Sequence, residues 1–384
     1  MSSTKVNEQT RVRADVAFAA IDPYLESNIV SPKESPIHGK EFIEWGDNNA
    51  YPDYLLSLTE NVPTLKSIIN GTVDFIVGDD VSIVPLHTGF ENGKMNGRGD
   101  TIAEQVEDLA RDYETYGGFA LQIIRGRDGS IAEVYHLPIR FLRANKECDV
   151  FYYCEDWSKR YGKKDTIVYP AFIPNLQEKW FELDDSQRNA HASSVLFVKT
   201  DHTHTYPVPV YAASVKACET ERMIDDYHLN AVANGFCPSI IINFNNGIPT
   251  DKMKEEIEAD VNEKFGGPNN AGRIMLSWNP NKESATTFET PEITDFGEKY
   301  KALAENSRQK IFTAFRAYPN IFGLSTATGF SIEEFDSAFK LYNRTSVRPV
   351  QRMIADTYDK VYGQKGVLTI VPFSLDGNNE KSVD

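Results

Sequence analysis

Asp201-His202-Thr203-His204 comes nearest to a metal-binding segment in residue type. It offers two imidazoles and a carboxylate, but no third ligand follows at a recognisable spacing, so a solvated loop is expected. His38, His87, His136, His191 and His228 are scattered and unpaired. Cys148, Cys154, Cys218 and Cys237 form no CxxC pair, and reduced thiols serving as small apolar residues are the reading. Phosphate chemistry has no foothold either. The chain holds no GxxxxGK[ST] and no GxGxxG between strand and helix. Gly266-Gly267-Pro268-Asn269-Asn270-Ala271-Gly272 follows a predicted helix and precedes a predicted strand, the reverse of the order a phosphate-cradling helix needs. GxSxG and HExxH are absent. No catalytic constellation, metal or cofactor is expected.

Charge is organised in clusters. Glu255, Glu256, Glu258, Asp260 and Glu263 fall on one predicted helix, as a solvated face or as a surface for a basic partner. Lys299, Lys301, Arg308, Lys310 and Arg316 lie on a later helix with Asp295, Glu298 and Glu305, either as an i,i+4 salt-bridge lattice or facing DNA or another subunit. Arg344, Arg348 and Arg352 recur every four residues, so they share a helix face. The net charge of −16 argues against a protein that grips phosphates. It does not argue against an acidic wall that DNA slides past.

These clusters need elements to position them. The 384 residues suffice for two or three domains, and 41% hydrophobic with 25% charged residues is an ordinary globular balance. The first twenty residues lack the apolar stretch of a secretory signal, and no run reaches the length of a spanning helix, so no membrane role is expected. Residues 1–40 read as a polar, mobile arm. Pro52 opens a short helix, and Asn61 is expected to cap a second one that Gly78 ends. Thr101 and Glu104 form a capping box for a helix to Tyr116. Asp128-Gly129 between two apolar runs predicts a hairpin, and strands follow at 149–154, 166–172 and 194–199. A long helix is expected from Pro207 to Asn234-Gly235, then a strand ending at Phe244, a charged helix over 251–265 and a strand over 273–278. The next helix covers 294–317 until Pro319 breaks it. Residues 320–330, with Gly323, Gly329 and small hydroxyl residues, predict a flexible loop. Ser331 and Glu334 box a last helix to Tyr362, kinked at Pro349, and Val367–Val371 is a strand. The residues alone therefore give a soluble α+β protein that assembles through helices.

Five stretches in order resemble one family. They are Glu44-Trp45-Gly46 with Asn49 and Tyr51-Pro52-Asp53-Tyr54-Leu55; Tyr116-Gly117-Gly118-Phe119-Ala120 through Asp128-Gly129 to Leu137-Pro138; Tyr206 to Ala213 with Asn234-Gly235-Phe236-Cys237-Pro238; Phe265-Gly266-Gly267 with Asn270-Ala271-Gly272-Arg273; and Ala317-Tyr318-Pro319-Asn320-Ile321-Phe322-Gly323. Together, over roughly residues 41–375, they are similar to the portal proteins, or head–tail connectors, of tailed bacteriophages. Tyr206-Pro207-Val208-Pro209 departs from the family's Tyr-Gly-x-Ser-Pro.

The resemblance implies a portal-type fold: a flexible arm (1–40), a β-rich wing (41–205), stem helices (206–235 and 292–319), an α/β clip (236–291), a tunnel loop (320–331) and a wing/crown helix with a C-terminal strand (332–384), the crown being short. It implies a homo-oligomeric ring, usually of twelve subunits, at one capsid vertex of the virion, assembled in the host cytoplasm. Double-stranded DNA would pass through the channel. The terminase large subunit, the major capsid or scaffold protein and the neck adaptor would be partners. The tunnel loop would be Phe322, Gly323, Leu324, Ser325, Thr326, Ala327, Thr328 and Gly329. Glu255, Glu256, Glu258, Asp260 and Glu263 would dock terminase, and Lys299, Lys301, Arg308 and Lys310 would face the channel. Another ring-forming neck protein, or a nucleic-acid-processing enzyme, are the alternatives.

Overall fold

The computed structural model describes residues 30, 32–36, 41–84, 94–157, 166–233, 240–244, 248–257, 274–278, 296–323 and 331–374. The chain divides into two compact units. The larger holds Ile29–Glu221 and Ala304–Asp384; the smaller includes Arg222–Leu303.

The larger unit opens with an antiparallel pair, β1 (Glu34–Pro36) and β2 (Ile43–Trp45). Helices α1 (Tyr51–Asn61) and α2 (Pro63–Val77) follow. Each has a proline in its first turn, where the missing N–H would lack an intrahelical partner anyway. Asn61 does not cap α2. Its amide donates back to the Ser57 carbonyl at 2.7 Å and closes α1, while extended Val62 precedes α2. Strand β3 (Asp80–Ile83) leads on to α3 (Ile102–Tyr116), whose Thr101/Glu104 capping box is formed. The predicted hairpin is β4 (Gly118–Arg125) against β5 (Ile131–His136). β6 (Leu142–Ala144), β7 (Val150–Tyr153) and β8 (Ile167–Pro170) make an antiparallel sheet. Helix α4 (Asp185–His191) precedes β9 (Ser193–Lys199), which pairs with the other edge of β4. Central β4 is buried along nearly its whole length, so it reads as a continuous apolar run rather than an alternating one.

Helix α5 (Val215–Ala233) starts later than Pro207. Each proline pushes its preceding residue, Tyr206 or Val208, out of the helical basin. A 3-10 turn at Ala212–Ser214 makes the entry instead. From Arg222 onward the chain belongs to the smaller unit. There β10 (Ile240–Phe244) and β11 (Ile274–Trp278) pair in parallel. Between them in sequence, residues 251–257 form helix α6; a parallel pair requires such a crossover. Residues 258–273, including the glycine-rich turn, lie outside the described residues.

Helix α7 (Phe296–Phe315) returns the chain to the larger unit. It is followed by a 3-10 turn at Pro319–Phe322, then by α8 (Ile332–Tyr342), whose Ser331/Glu334 box is formed. A single π-helical turn at Asn343–Val347 joins α8 to α9 (Arg348–Tyr362). The expected kink at Pro349 is therefore this π turn one turn upstream. Proline offers no N–H to the preceding carbonyls and crowds them, and a wider turn relieves both. β12 (Leu368–Val371) pairs antiparallel with β3, which precedes α3. One apolar core gathers α1, α2, α3, β4, α9 and the first turns of α5.

Candidate functional site

The segment after α7 is where the sequence places its loop. Arg316 takes a left-handed φ of 54°, and the Ala317 N–H returns to the Phe312 carbonyl at 2.9 Å, ending the helix before Pro319. Phe322 then packs among Phe75, Phe312 and Tyr342, with ring centroids 6.0, 6.2 and 5.6 Å away. It lies so close to α2 that a Cβ on Gly71 would meet its ring at 2.9 Å. Gly323 follows with φ 79° and nothing within 4 Å of its virtual Cβ, so it needs glycine for its backbone and not for space. Residues 319–322 are thus an anchored turn rather than the flexible loop expected there. Leu324, Ser325, Thr326, Ala327, Thr328 and Gly329 lie outside the described residues.

The two long helices are held at their roots in the larger unit. Tyr211 stacks on Phe315 at 5.5 Å, and Ser214 Oγ donates to the Lys310 carbonyl at 2.9 Å. Buried Glu221 accepts from Thr64 Oγ1 at 2.7 Å and faces Arg308 Nε at 3.9 Å. Lys301 and Lys310 are exposed. Among the described residues neither takes part in an ion pair, and Arg308 faces Glu221 rather than Glu305; Asp295 and the Glu298 side chain lie outside the described residues. The Lys299 side chain is outside the described residues. In the smaller unit Tyr227 of α5 stacks on Tyr300 of α7 at 4.9 Å. Met223, Tyr227, Leu229 and Leu303 nevertheless remain widely exposed, Leu229 at 69%.

Further along the smaller unit, Phe244 and Trp278 stack across β10 and β11, and Lys254 of α6 lies over the Trp278 ring at 5.9 Å. Glu255 and Glu256 are exposed, as a partner-facing or solvated run requires. Glu258, Asp260 and Glu263 lie outside the described residues.

Several polar groups that sequence reasoning passed over are buried in the larger unit. Arg143, 1% exposed, donates to Asn49 Oδ1 at 2.7 Å and to the Asn49 carbonyl at 2.9 Å, with Trp45 and Trp157 near its guanidinium. Trp45 in turn stacks on Tyr206 at 4.6 Å. That stack joins the Trp45–Asn49 stretch to the start of the Tyr206 stretch, and Arg143 braces its Trp45–Asn49 side. His136 sits between Asp112 (2.9 Å) and Asp108 (3.5 Å). Burial opposes its charge, but the two carboxylates prevail and hold its pKa up at about 9. Glu114 on α3 is fully enclosed, and desolvation raises it to about 8. Thr72 and Tyr342 share a 2.6 Å hydroxyl contact, and Gln351 donates to the Ile76 carbonyl at 3.0 Å, fixing α2 against the end of α8 and against α9. Arg344, Arg348 and Arg352 share an exposed face there. Asp201 and His204 pair at 2.8 Å on an exposed loop. Among the described residues, no three His, Cys, Asp or Glu side chains converge to hold a metal ion, and no helix is long and apolar enough to cross a membrane.

The family model described as phage portal protein matches residues 97–376. No curated protein matches the chain. In fold, the chain is similar to a chain in the neck of an empty gene transfer agent particle computed with C6 symmetry, with TM-score 0.51 and 15% identity over 84% of this chain and 85% of that one. It is also similar to one in the neck of a native particle computed with C12 symmetry (TM-score 0.46, 17% identity, 85% of each chain). A third likeness is to an HK97-family phage portal protein from Corynebacterium diphtheriae (TM-score 0.37, 10% identity, 76% of this chain and 88% of that one).

Proposed function

The chain belongs to the phage portal protein family, and from that premise we propose that it assembles as a ring of about twelve copies at one vertex of a virion, its bore carrying double-stranded DNA in and out. The family match, spanning residues 97–376, carries this reading. The family is structural rather than enzymatic, so turnover during packaging belongs to a separate motor.

The parts are assigned as follows. Residues 41–205 with 332–384 form the wing and a short crown. Helices α5 and α7 are the stem, residues 236–291 the clip, and 320–331 the tunnel loop, with 1–40 a leading arm. The division of the chain supports this, because the smaller unit is reached through α5 and left through α7. The exposed apolar residues Met223, Tyr227, Leu229 and Leu303 support it too, because a ring would give these side chains of α5 and α7 a neighbouring copy to cover them. Exposed Lys301, Arg308 and Lys310 are assigned to the channel side with Lys299. The acidic run from Glu255 to Glu263 is assigned to terminase docking, and the neck adaptor and the capsid or scaffold protein are the remaining partners.

Deleting Leu324–Gly329 tests the reading. Phe322 keeps the preceding turn docked, and the Ser331 box starts α8 independently, so rings should still form while DNA packaging or retention fails. Loss of rings on deletion would show that this segment builds the subunit contact and would overturn the tunnel-loop assignment.

A further inference from the structure

Among the described residues of the larger unit, one aromatic side chain stands far out into solvent. Phe181 is 74% exposed on a 3-10 helix, Leu176–Glu182, that is itself well anchored. Its neighbour Trp180 is buried and donates its indole N–H to the Arg127 carbonyl at 2.9 Å. With Trp180 turned inward, Phe181 is held outward. Glu178, Glu182, Asp184 and Asp185 surround it in sequence, all exposed, against the single cation Lys179 within 176–185. Asp184 also caps α4, and Asp185 pairs with Arg188, so the segment after the knob is pinned as well.

The same unit carries a groove of the opposite character. An open hollow of about 550 Å³ lies between β9 and α9, with Phe172, Phe197 and Met353 among its apolar residues. Lys199, Arg352 and Lys360 line it as well, and Asp356 is the carboxylate among its described lining residues. Arg348 and Arg344 extend the exposed cationic row of Arg352 along the helix. Lys199 is steadied by the Thr205 carbonyl at 2.9 Å.

From this complementarity we infer that the Phe181 knob of one copy inserts into the β9–α9 groove of the next, its carboxylates meeting the Lys199–Arg352–Lys360 rim. The inference rests on the ring reading and deepens it by naming the contact. Knob and groove are different surfaces of one chain, so the contact is heterologous. A heterologous contact closes a ring when its rotation closes. An enclosed aromatic anchor ringed by charges is also the usual composition of an interface hot spot. The acidic knob and basic rim would steer successive copies into one register and repel knob from knob.

The test uses the full chain, measured by native mass and electron microscopy, as wild type and as Phe181→Ser and Arg352→Glu. Both substitutions lie on exposed positions, so folding is checked by unchanged circular dichroism. Wild type is expected to form rings, and each variant to need at least tenfold more protein to do so. In a second arm, Phe181 is replaced by the photo-crosslinker p-benzoylphenylalanine. Crosslinked dimers joined through the peptide that contains Met353 are expected. Rings that persist undiminished in both variants, or crosslinks that map elsewhere, overturn this contact and leave the portal reading standing. Absence of wild-type rings overturns both.

Discussion

Replacing Glu114 by Gln should make the protein more stable at neutral pH and leave it almost unchanged in mild acid. Glu114 sits on α3, 4% exposed, and its carboxyl titrates near 8 against an ordinary value of 4.5 because burial disfavours the charged form. In the unfolded chain the same group ionises above 4.5. Between these values the folded state binds the extra proton, so stability falls as pH rises from about 4.5 to about 8. At about pH 7.5 the gap amounts to roughly 4 kcal/mol, and at about pH 5 to roughly 1 kcal/mol. Gln keeps the shape and carries no ionisation, so the variant's advantage over wild type should grow by about 3 kcal/mol between those conditions. Denaturant unfolding followed by the fluorescence of buried Trp45, Trp157 and Trp180 reads this directly. The difference between the two proteins removes contributions that they share. Parallel pH profiles for wild type and E114Q would mean instead that Glu114 is already ionised in the folded protein at neutral pH.

His136 should act with the same sign for a different reason. Its pKa is raised from 6.5 to about 9, so its stabilisation is full below 6.5 and is lost as pH rises through about 9. His136→Asn should cost on the order of 3 kcal/mol near pH 6 and much less near pH 10, measured by thermal unfolding. Phe322→Ala removes a partly enclosed ring from Phe75, Phe312 and Tyr342, and about 2 kcal/mol is expected, below the range for a fully buried Phe. Hydrogen exchange should then speed up at residues 320–323 while α3 stays protected; uniform acceleration would mean that the turn is no separate anchor. Reversing Glu255 and Glu256 to Lys should weaken capture of the terminase large subunit in a pull-down, the effect growing at low salt. Undiminished capture would remove these residues from the docking surface.

The legible parts of the fold were those governed by local rules. The Thr101/Glu104 and Ser331/Glu334 boxes, the Asp128-Gly129 hairpin and the Gly78 stop each depend on a few neighbouring residues, and each stands where the sequence indicates. What failed was set by competition over distance. Asn61 suits a cap by type, but a first-turn proline makes that cap dispensable. Pro349 announces a distortion without saying that a π turn one turn earlier absorbs it. Arg143 looks like a surface residue until Asn49, some ninety positions away, satisfies its guanidinium. Glu114 and His136 give no local sign of burial, since His136 is met by Asp108 and Asp112 of α3 and Glu114 lies near Tyr342 at the end of α8. Of the candidate site, the exposure of Glu255, Glu256, Lys301 and Lys310 follows from their charge, whereas the loop expected from 320 onward is at 320–322 part of the Pro319–Phe322 turn. The anchoring of Phe322 on Gly71, by contrast, joins residues roughly 250 positions apart and leaves no pattern in the sequence.

Copies of this chain are proposed to close into a portal ring. Native mass measurement of the purified full chain, with negative-stain microscopy of the same sample, tests it most directly. Particles close to twelve times 43.3 kDa with a central hole are expected. A compact monomer that persists at high concentration, even when the chain is produced together with its capsid and scaffold proteins, would contradict it.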